Sequence, residues 1–219
     1  MDFWRQLDIV SPKDLERINV TMIGVGGIGS PAVLALSKMG VSNITVYDDD
    51  SVELHNLPNQ FFRVEDLKRS KVEALADIVA SYSEDKIAIK NERYTNQKLS
   101  GIVISGVDSM SARKDIWNGV AYNTKVPFYI EARMGAEVAR IYTVRPCIPS
   151  EVRWYEKTLY SDEEAVDAPC SARAIIYCTF MTASLIANQV KKIAKNQGYE
   201  NEIIFDLVTM SLLTKSASS

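Results

Sequence analysis

At 219 residues, 47% hydrophobic and 24% charged, the chain has the length and apolar content of one ordinary globular domain with a sizeable core, so a single domain over 1–219 is expected. A formal net charge of −3 with no lysine or arginine run leaves no basic surface for a phosphate backbone, which argues against nucleic acid as a partner. The charged N-terminus lacks the apolar core of a signal peptide and no later segment approaches about eighteen uninterrupted apolar residues, so a soluble cytoplasmic protein without a membrane segment is expected.

Ser11-Pro12-Lys13-Asp14 reads as an N-cap, a proline at the first helical position and an acid at the capping-box place, opening a short helix over residues 11–18. Val20 to Ile23 is a compact apolar strand that runs into a glycine-rich turn. Ser30 to Met39 then has helical apolar spacing, and Gly40 stops it. Asn43 to Tyr47, β-branched and aromatic, is a second strand, so the unit reads strand, glycine turn, helix, strand. Val64 to Ser81 fits a helix, with a strand around Ile87 to Ile89, a strand at Gly101 to Ser105 and a helix over Ser109 to Tyr122. Pro127 to Ala132 is another strand. Glu137 to Val144 alternates apolar with polar, as a half-exposed antiparallel strand does. Pro146 to about residue 170, with its prolines and the acidic run Ser161 to Glu164, is expected to be a mobile crossover loop. Ala172 to Ala194 is a long apolar helix, Ile203 to Leu207 starts a final strand or hairpin, and the tail 215–219 is expected to be disordered. The alternation predicts an α/β fold: a doubly wound, Rossmann-like, mostly parallel sheet with helices on both faces and antiparallel strands at its C-terminal end.

Gly24-Val25-Gly26-Gly27-Ile28-Gly29 fits GxGxxG in the context that pattern needs, after a strand and before a helix. Glycines there let backbone N–H groups approach a phosphate at the helix N-terminus, where the dipole favours negative charge. Asp48 closes the second strand, about twenty residues on, where an acid can accept from a ribose hydroxyl. This pairing indicates a nucleotide without saying which one.

The blocks Gly24 to Ser30, Val46 to Asp50, Val52 to Leu57, Gln60-Phe61 and Ser70 to Ala74 stand in an order and spacing that resembles the ThiF/MoeB/HesA adenylation family, relatives of ubiquitin-activating enzymes. The likeness runs from Phe3-Trp4-Arg5-Gln6 to the helix ending near Ala194. It implies an adenylyltransferase using ATP and Mg²⁺ to activate the C-terminal carboxylate of a ubiquitin-like or sulfur-carrier protein ending in Gly-Gly, or of a small peptide. It also implies a homodimer. By the same resemblance Gly24, Gly26, Gly27, Gly29, Asp48, Asp50, Asn56, Asn59 and Gln60 belong to the nucleotide site. Lys71 matches the phosphate-contacting lysine, Asp108 the aspartate that engages Mg²⁺, and Arg5 an arginine given to the ATP site of the other subunit. Arg113 fills the arginine place of the following helix, with a structural and a catalytic role both open. The family usually carries an arginine between Leu57-Pro58 and Gln60, where this chain has Asn59, which supplies no charge. Arg63 stands nearby as the expected replacement; the alternative is a weakened or non-catalytic member.

The three cysteines include no CxxC pair, and with His55 the sole histidine no zinc site is expected. Cys170, before the last long helix, is where relatives that transfer the acyl group carry a cysteine, although a small packing residue fits the place as well. Cys178 sits in an apolar helical stretch and reads as core. The rival class is a nicotinamide-dependent dehydrogenase, which would share Gly24 to Gly29 and Asp48 but has no use for Lys71 and Asp108.

Overall fold

The computed structural model describes residues 1–83, 86–161 and 174–217. One eight-stranded sheet organises the chain: β1 (Asn19–Ile23), β2 (Asn43–Tyr47), β3 (Ala88–Lys90), β4 (Ile102–Ser105), β5 (Tyr129–Gly135), β6 (Val138–Val144), β7 (Glu202–Asp206) and β8 (Ser211–Lys215), in the order β3-β2-β1-β4-β5-β6-β7-β8. The first five pair in parallel and the last three antiparallel, as the sequence predicts. The strands of β1, β2 and β4 are short β-branched runs, the composition expected of strands covered on both faces.

The helices are α1 (Pro12–Leu15), α2 (Gly29–Met39), α3 (Lys71–Tyr82), α4 (Met110–Val120), α5 (Pro149–Glu156) and α6 (Ile176–Ala194). Leu36 of α2, Leu75 of α3 and Ile186 of α6 share one core with Val20 and Ile44 of the sheet. Ile116 and Trp117 of α4 and Tyr155 of α5 form a second core with Val103 and Tyr129 on the opposite face. The chain moves from β1 outward through β2 and β3, then returns to place β4 on the other side of β1. This reversal opens a crevice at the C-terminal ends of β1 and β4, the place where doubly wound sheets bind ligands.

Four expectations need correction. The first helix has the predicted capping box, with Asp14 N donating to Ser11 Oγ at 3.3 Å and Ser11 N to Asp14 Oδ2 at 2.8 Å, but it ends at Leu15. The helix expected from Val64 starts only at Lys71, because Lys68 has a φ of 68°, which α-helix excludes, and Val64–Asp66 forms a separate 3-10 turn. The stretch expected to be a loop from residue 146 contains α5: Pro149 occupies its first turn, where the missing N–H costs nothing. The final hairpin is present as β7 and β8, and Lys215, placed in the tail by sequence, belongs to β8.

Candidate active site

The site begins where β1 ends. Gly24 turns the chain at a φ of +84°, and a Cβ there would press to 3.1 Å on the Gly106 carbonyl carbon, so the turn and the end of β4 fit only backbone to backbone. Gly106 N in turn donates to Ile23 O at 2.9 Å. Gly29 is needed for internal packing, since a Cβ would lie 2.0 Å from Gly24 O. Gly26 differs: a Cβ there would meet only the Gln60 side chain at ordinary distances, from 3.7 Å. The protein itself does not require glycine at that point, and the space left open belongs to the cleft. No side chain caps the N-terminus of α2; in its first turn Ser30 N donates to Gly26 O at 3.0 Å and Pro31 has no N–H, and it is Gly26 and Gly27 just before the helix that line the cleft.

Asp48 Oδ2 accepts from Val25 N at 2.8 Å and Oδ1 from Asp50 N at 3.0 Å, tying the end of β2 to the glycine turn. Burial raises its carboxyl above the ordinary range, against those two amides and the Lys71 charge, which pull it down. Lys71, the first residue of α3, is buried, and its Nζ lies 2.7 Å from Asp50 Oδ2. It is therefore no solvated surface lysine; its backbone N also donates to Asp50 O at 2.9 Å.

A cleft of about 350 Å³ brings together Gly24, Gly26, Gly27, Asp48, Asp50, Gln60, Lys71 and Asp108, residues scattered over more than eighty positions of sequence. Gly29 supports the turn from behind. Asn56 is buried and caps its own 3-10 turn, its Oδ1 accepting from Glu53 N at 2.9 Å, so it shapes the block and does not line the cleft. Asn59 is also absent from the cleft wall: its Nδ2 donates to Ala174 O at 3.4 Å. Arg63, expected to replace the charge missing at Asn59, is held 2.6 Å from Glu65 and 2.8 Å from Asp66 and lies away from the cleft. Arg5 stands in the exposed 3-10 turn Trp4–Gln6, over the Trp4 ring, and does not reach its own cleft. Cys170 lies outside the described residues. Cys178 is fully buried, and Cys147 is exposed.

Arg93 and Tyr94, just beyond β3, and Gly106 and Val107, just beyond β4, line the cleft without having been anticipated. Arg93 brings the second cation of the wall beside four carboxylates, Asp48, Asp49, Asp50 and Asp108. So acidic a wall suits a polyphosphate only together with a metal cation, and carboxylate oxygens are the donors that Mg²⁺ takes. The carboxylates of Asp48, Asp49 and Asp50 come within 4.8 Å of one another. The residues present thus fit both a nucleotide phosphate chain and its magnesium.

Behind Asp108 lies a buried ionic cluster. Arg113 Nη2 donates to Val107 O at 2.6 Å and Nη1 to Asp108 O at 3.4 Å, while its Nε lies 2.8 Å from Glu131 Oε1. Burial would push the Glu131 carboxyl up, but Arg133 and then Arg113, with the Tyr155 hydroxyl, hold it below the ordinary range.

The model of the ThiF family matches residues 3–218. The chain is 27% identical over 165 residues to the sulfur carrier protein ThiS adenylyltransferase of Escherichia coli (strain K12), covering 72% of this chain and 64% of that protein. It is 30% identical over 154 residues to ubiquitin-like modifier-activating enzyme 5 of Drosophila grimshawi, covering 66% of this chain and 35% of the relative. Among solved structures, E. coli MccB with ATP superposes with a TM-score of 0.73 at 16% identity, covering 94% of this chain and 66% of that one. PaaA superposes with a TM-score of 0.74 at 18% identity, covering 94% and 66%. The chain therefore spans at most 66% of the length of these relatives.

Proposed function

The chain belongs to the ThiF family, and from that premise we propose that it is an ATP-dependent adenylyltransferase acting on the C-terminal carboxylate of a small carrier protein or peptide. In the reaction one carboxylate oxygen bonds to the α-phosphorus, the bond from that phosphorus to the bridging oxygen breaks, and pyrophosphate leaves with the electron pair. The glycine turn and the α2 N-terminus receive the phosphates, and Asp48 receives the ribose. Lys71 holds positive charge where the leaving group develops its negative charge, and Asp108 with the neighbouring aspartates would hold Mg²⁺. Magnesium, when bound, supplies neutralisation of phosphate oxygens. Residues 1–219 act in this proposal as one adenylation domain in the cytoplasm; among the described residues no helix is long and apolar enough to cross a membrane.

The observation that carries the proposal is that Lys71 and Asp108, matched only through sequence, line the same cleft as the glycine turn and Asp48. A dehydrogenase gives no role to that pair. Carboxylate-dependent exchange of labelled pyrophosphate into ATP tests it: Asp108→Ala and Lys71→Ala should each lower exchange by at least about a hundredfold while keeping the fold. Near-normal exchange in either variant would sink the assignment.

Arg5 is proposed to serve the cleft of a second copy, since it lies away from its own. A closed two-fold dimer meets that need, and a protein that sediments as a monomer at micromolar concentration while fully active would end it. One observation favours a second reading. Neither Asn59 nor Arg63 brings charge to the cleft, as expected of a subunit that binds ATP without turning it over. ATP binding without any pyrophosphate exchange would establish that reading.

A further inference from the structure

Glu131 is completely buried on β5, beside Ser105 at the end of β4, and it is gripped from two sides. On one side stands Arg113, 2.8 Å away, with its Nε–H not aligned for a hydrogen bond, so that contact is charge on charge and the two Nη atoms are left for the carbonyls of Val107 and Asp108. On the other stands Arg133, whose Nε and Nη2 both donate to the carboxylate at 2.8 Å. Arg133 Nη1 then donates to Thr158 O at 2.7 Å and Nη2 to Thr158 Oγ1 at 3.1 Å, just after α5. Tyr155 Oη completes the carboxylate's partners at 2.8 Å.

We propose that Glu131 is a positioning residue, a single buried anchor that through Arg113 fixes the Val107–Asp108 peptides at the cleft and through Arg133 fixes the chain at Thr158. Buried ionic groups cost desolvation energy, and well-packed apolar side chains of the same volume stabilise a fold as well or better. What the charges supply here is direction: a guanidinium held by a fixed carboxylate presents two N–H groups to two successive carbonyls. The peptide so fixed carries Asp108, and its relevance to catalysis rests on the adenylation reading above.

The test uses amide hydrogen exchange of the peptides spanning 106–110 and 157–160 in the nucleotide-free protein. Glu131→Gln keeps the size of the side chain, removes its charge and turns one acceptor oxygen into an NH₂ group that cannot accept from Arg133 or Tyr155. It should speed exchange in both peptides by about tenfold or more. Arg113→Met should loosen 106–110 alone and Arg133→Met 157–160 alone, and Glu131→Gln/Arg113→Met should loosen 106–110 no further than either single change. Unchanged exchange at 106–110 in both Glu131→Gln and Arg113→Met overturns the proposal. Should Glu131→Gln fail to fold, the two arginine variants carry the test, and loosening of both peptides by either one also overturns it. In the active protein the Mg²⁺ concentration needed for half-maximal exchange of pyrophosphate should rise with Glu131→Gln and Arg113→Met, a change that lost stability alone would not produce. A loosened 106–110 in a protein whose wild type binds no MgATP supports the anchor and overturns the adenylation reading.

Discussion

Lys71 Nζ lies 2.7 Å from Asp50 Oδ2, with the lysine side chain 8% exposed and the aspartate 65% exposed. The cation is thus held inside the cleft by a partner that stands in solvent, and an arriving phosphate can take the partner's place. Asp50→Asn should leave the buried Lys71 without its hydrogen-bonded carboxylate, with Asp48 acting on it only at longer range, and cost about 1–3 kcal/mol, less than a fully buried pair because Asp50 is largely hydrated. ATP added without divalent cations should then raise the melting temperature of Asp50→Asn more than that of the wild type, since only the variant recovers a counter-charge. An equal or smaller rise would mean that Lys71 does not meet the phosphates.

The glycines separate binding from folding. Gly29→Ala puts a Cβ 2.0 Å from Gly24 O, so the turn must move, and a loss of several kcal/mol in chemical unfolding is expected. Gly26→Ala meets nothing closer than 3.7 Å and should unfold within about 1 kcal/mol of the wild type. Nucleotide affinity should nevertheless fall at least about tenfold in Gly26→Ala, because its methyl group enters the space reserved for phosphate. Wild-type affinity in that variant would show that the turn is only a tight connection.

Legibility in the sequence followed the range of the interactions. The positions of the glycine turn after β1 and of Asp48 at the end of β2, and the capping box of α1, are each specified within a few residues, and the structure has all three there. Lys71 was legible as a match in spacing, but not as a buried cation, because Asp50 is twenty-one positions away. The apolar period through Leu67 and Val72 concealed the break at Lys68. Pro146 and Pro149 read as loop, although Pro149 is the first residue of α5. Arg93 and Gly106 reach the cleft only because parallel pairing aligns the ends of β3, β2, β1 and β4. Glu131 was missed for a related reason: an acid inside an apolar strand gains its meaning from Arg113 and Arg133, and Arg113 reaches it only through the packing of α4 on the sheet.

Acid stability should report on Asp66. Its carboxylate, fully buried, accepts from Arg63 Nε at 2.9 Å and Nη2 at 2.8 Å and from Arg69 Nη1 at 3.1 Å. Burial would raise it, but the Arg63 hydrogen bonds, with the charges of Arg63 and Arg69, bring it below the ordinary value. A carboxyl lowered on folding contributes stability that is present above its unfolded pKa of about 4 and is lost as pH falls through the folded value. Both arginines are more than a third exposed, so Asp66→Asn should cost about 1–2 kcal/mol at pH 7. The gap to the wild type in urea unfolding should narrow below about pH 4. A gap that stays constant between pH 7 and pH 3 would remove Asp66 as a charged contributor.

The cysteines should behave as three different groups. Cys178 is fully buried on α6 and its thiol is pushed up to about 11, first by burial and then by the charge of Glu137, so it is no nucleophile at neutral pH. Cys147 is exposed. In the folded protein at pH 8 an alkylating reagent should therefore label Cys147 and spare Cys178, which should react only on unfolding. Cys178→Ala should lose roughly 1 kcal/mol through a small cavity and keep its chemistry. Cys170, outside the described residues, is the candidate acyl acceptor, and its replacement separates two steps. Formation of the acyl adenylate requires only ATP, Mg²⁺ and the carboxylate, so Cys170→Ala should still exchange pyrophosphate; a thioester or acyl disulfide requires the thiol, so the variant should form no covalent adduct with the carrier that a reducing thiol removes. An adduct that persists in Cys170→Ala rules that residue out, and its absence even from the wild type makes the chain an enzyme that stops at the adenylate.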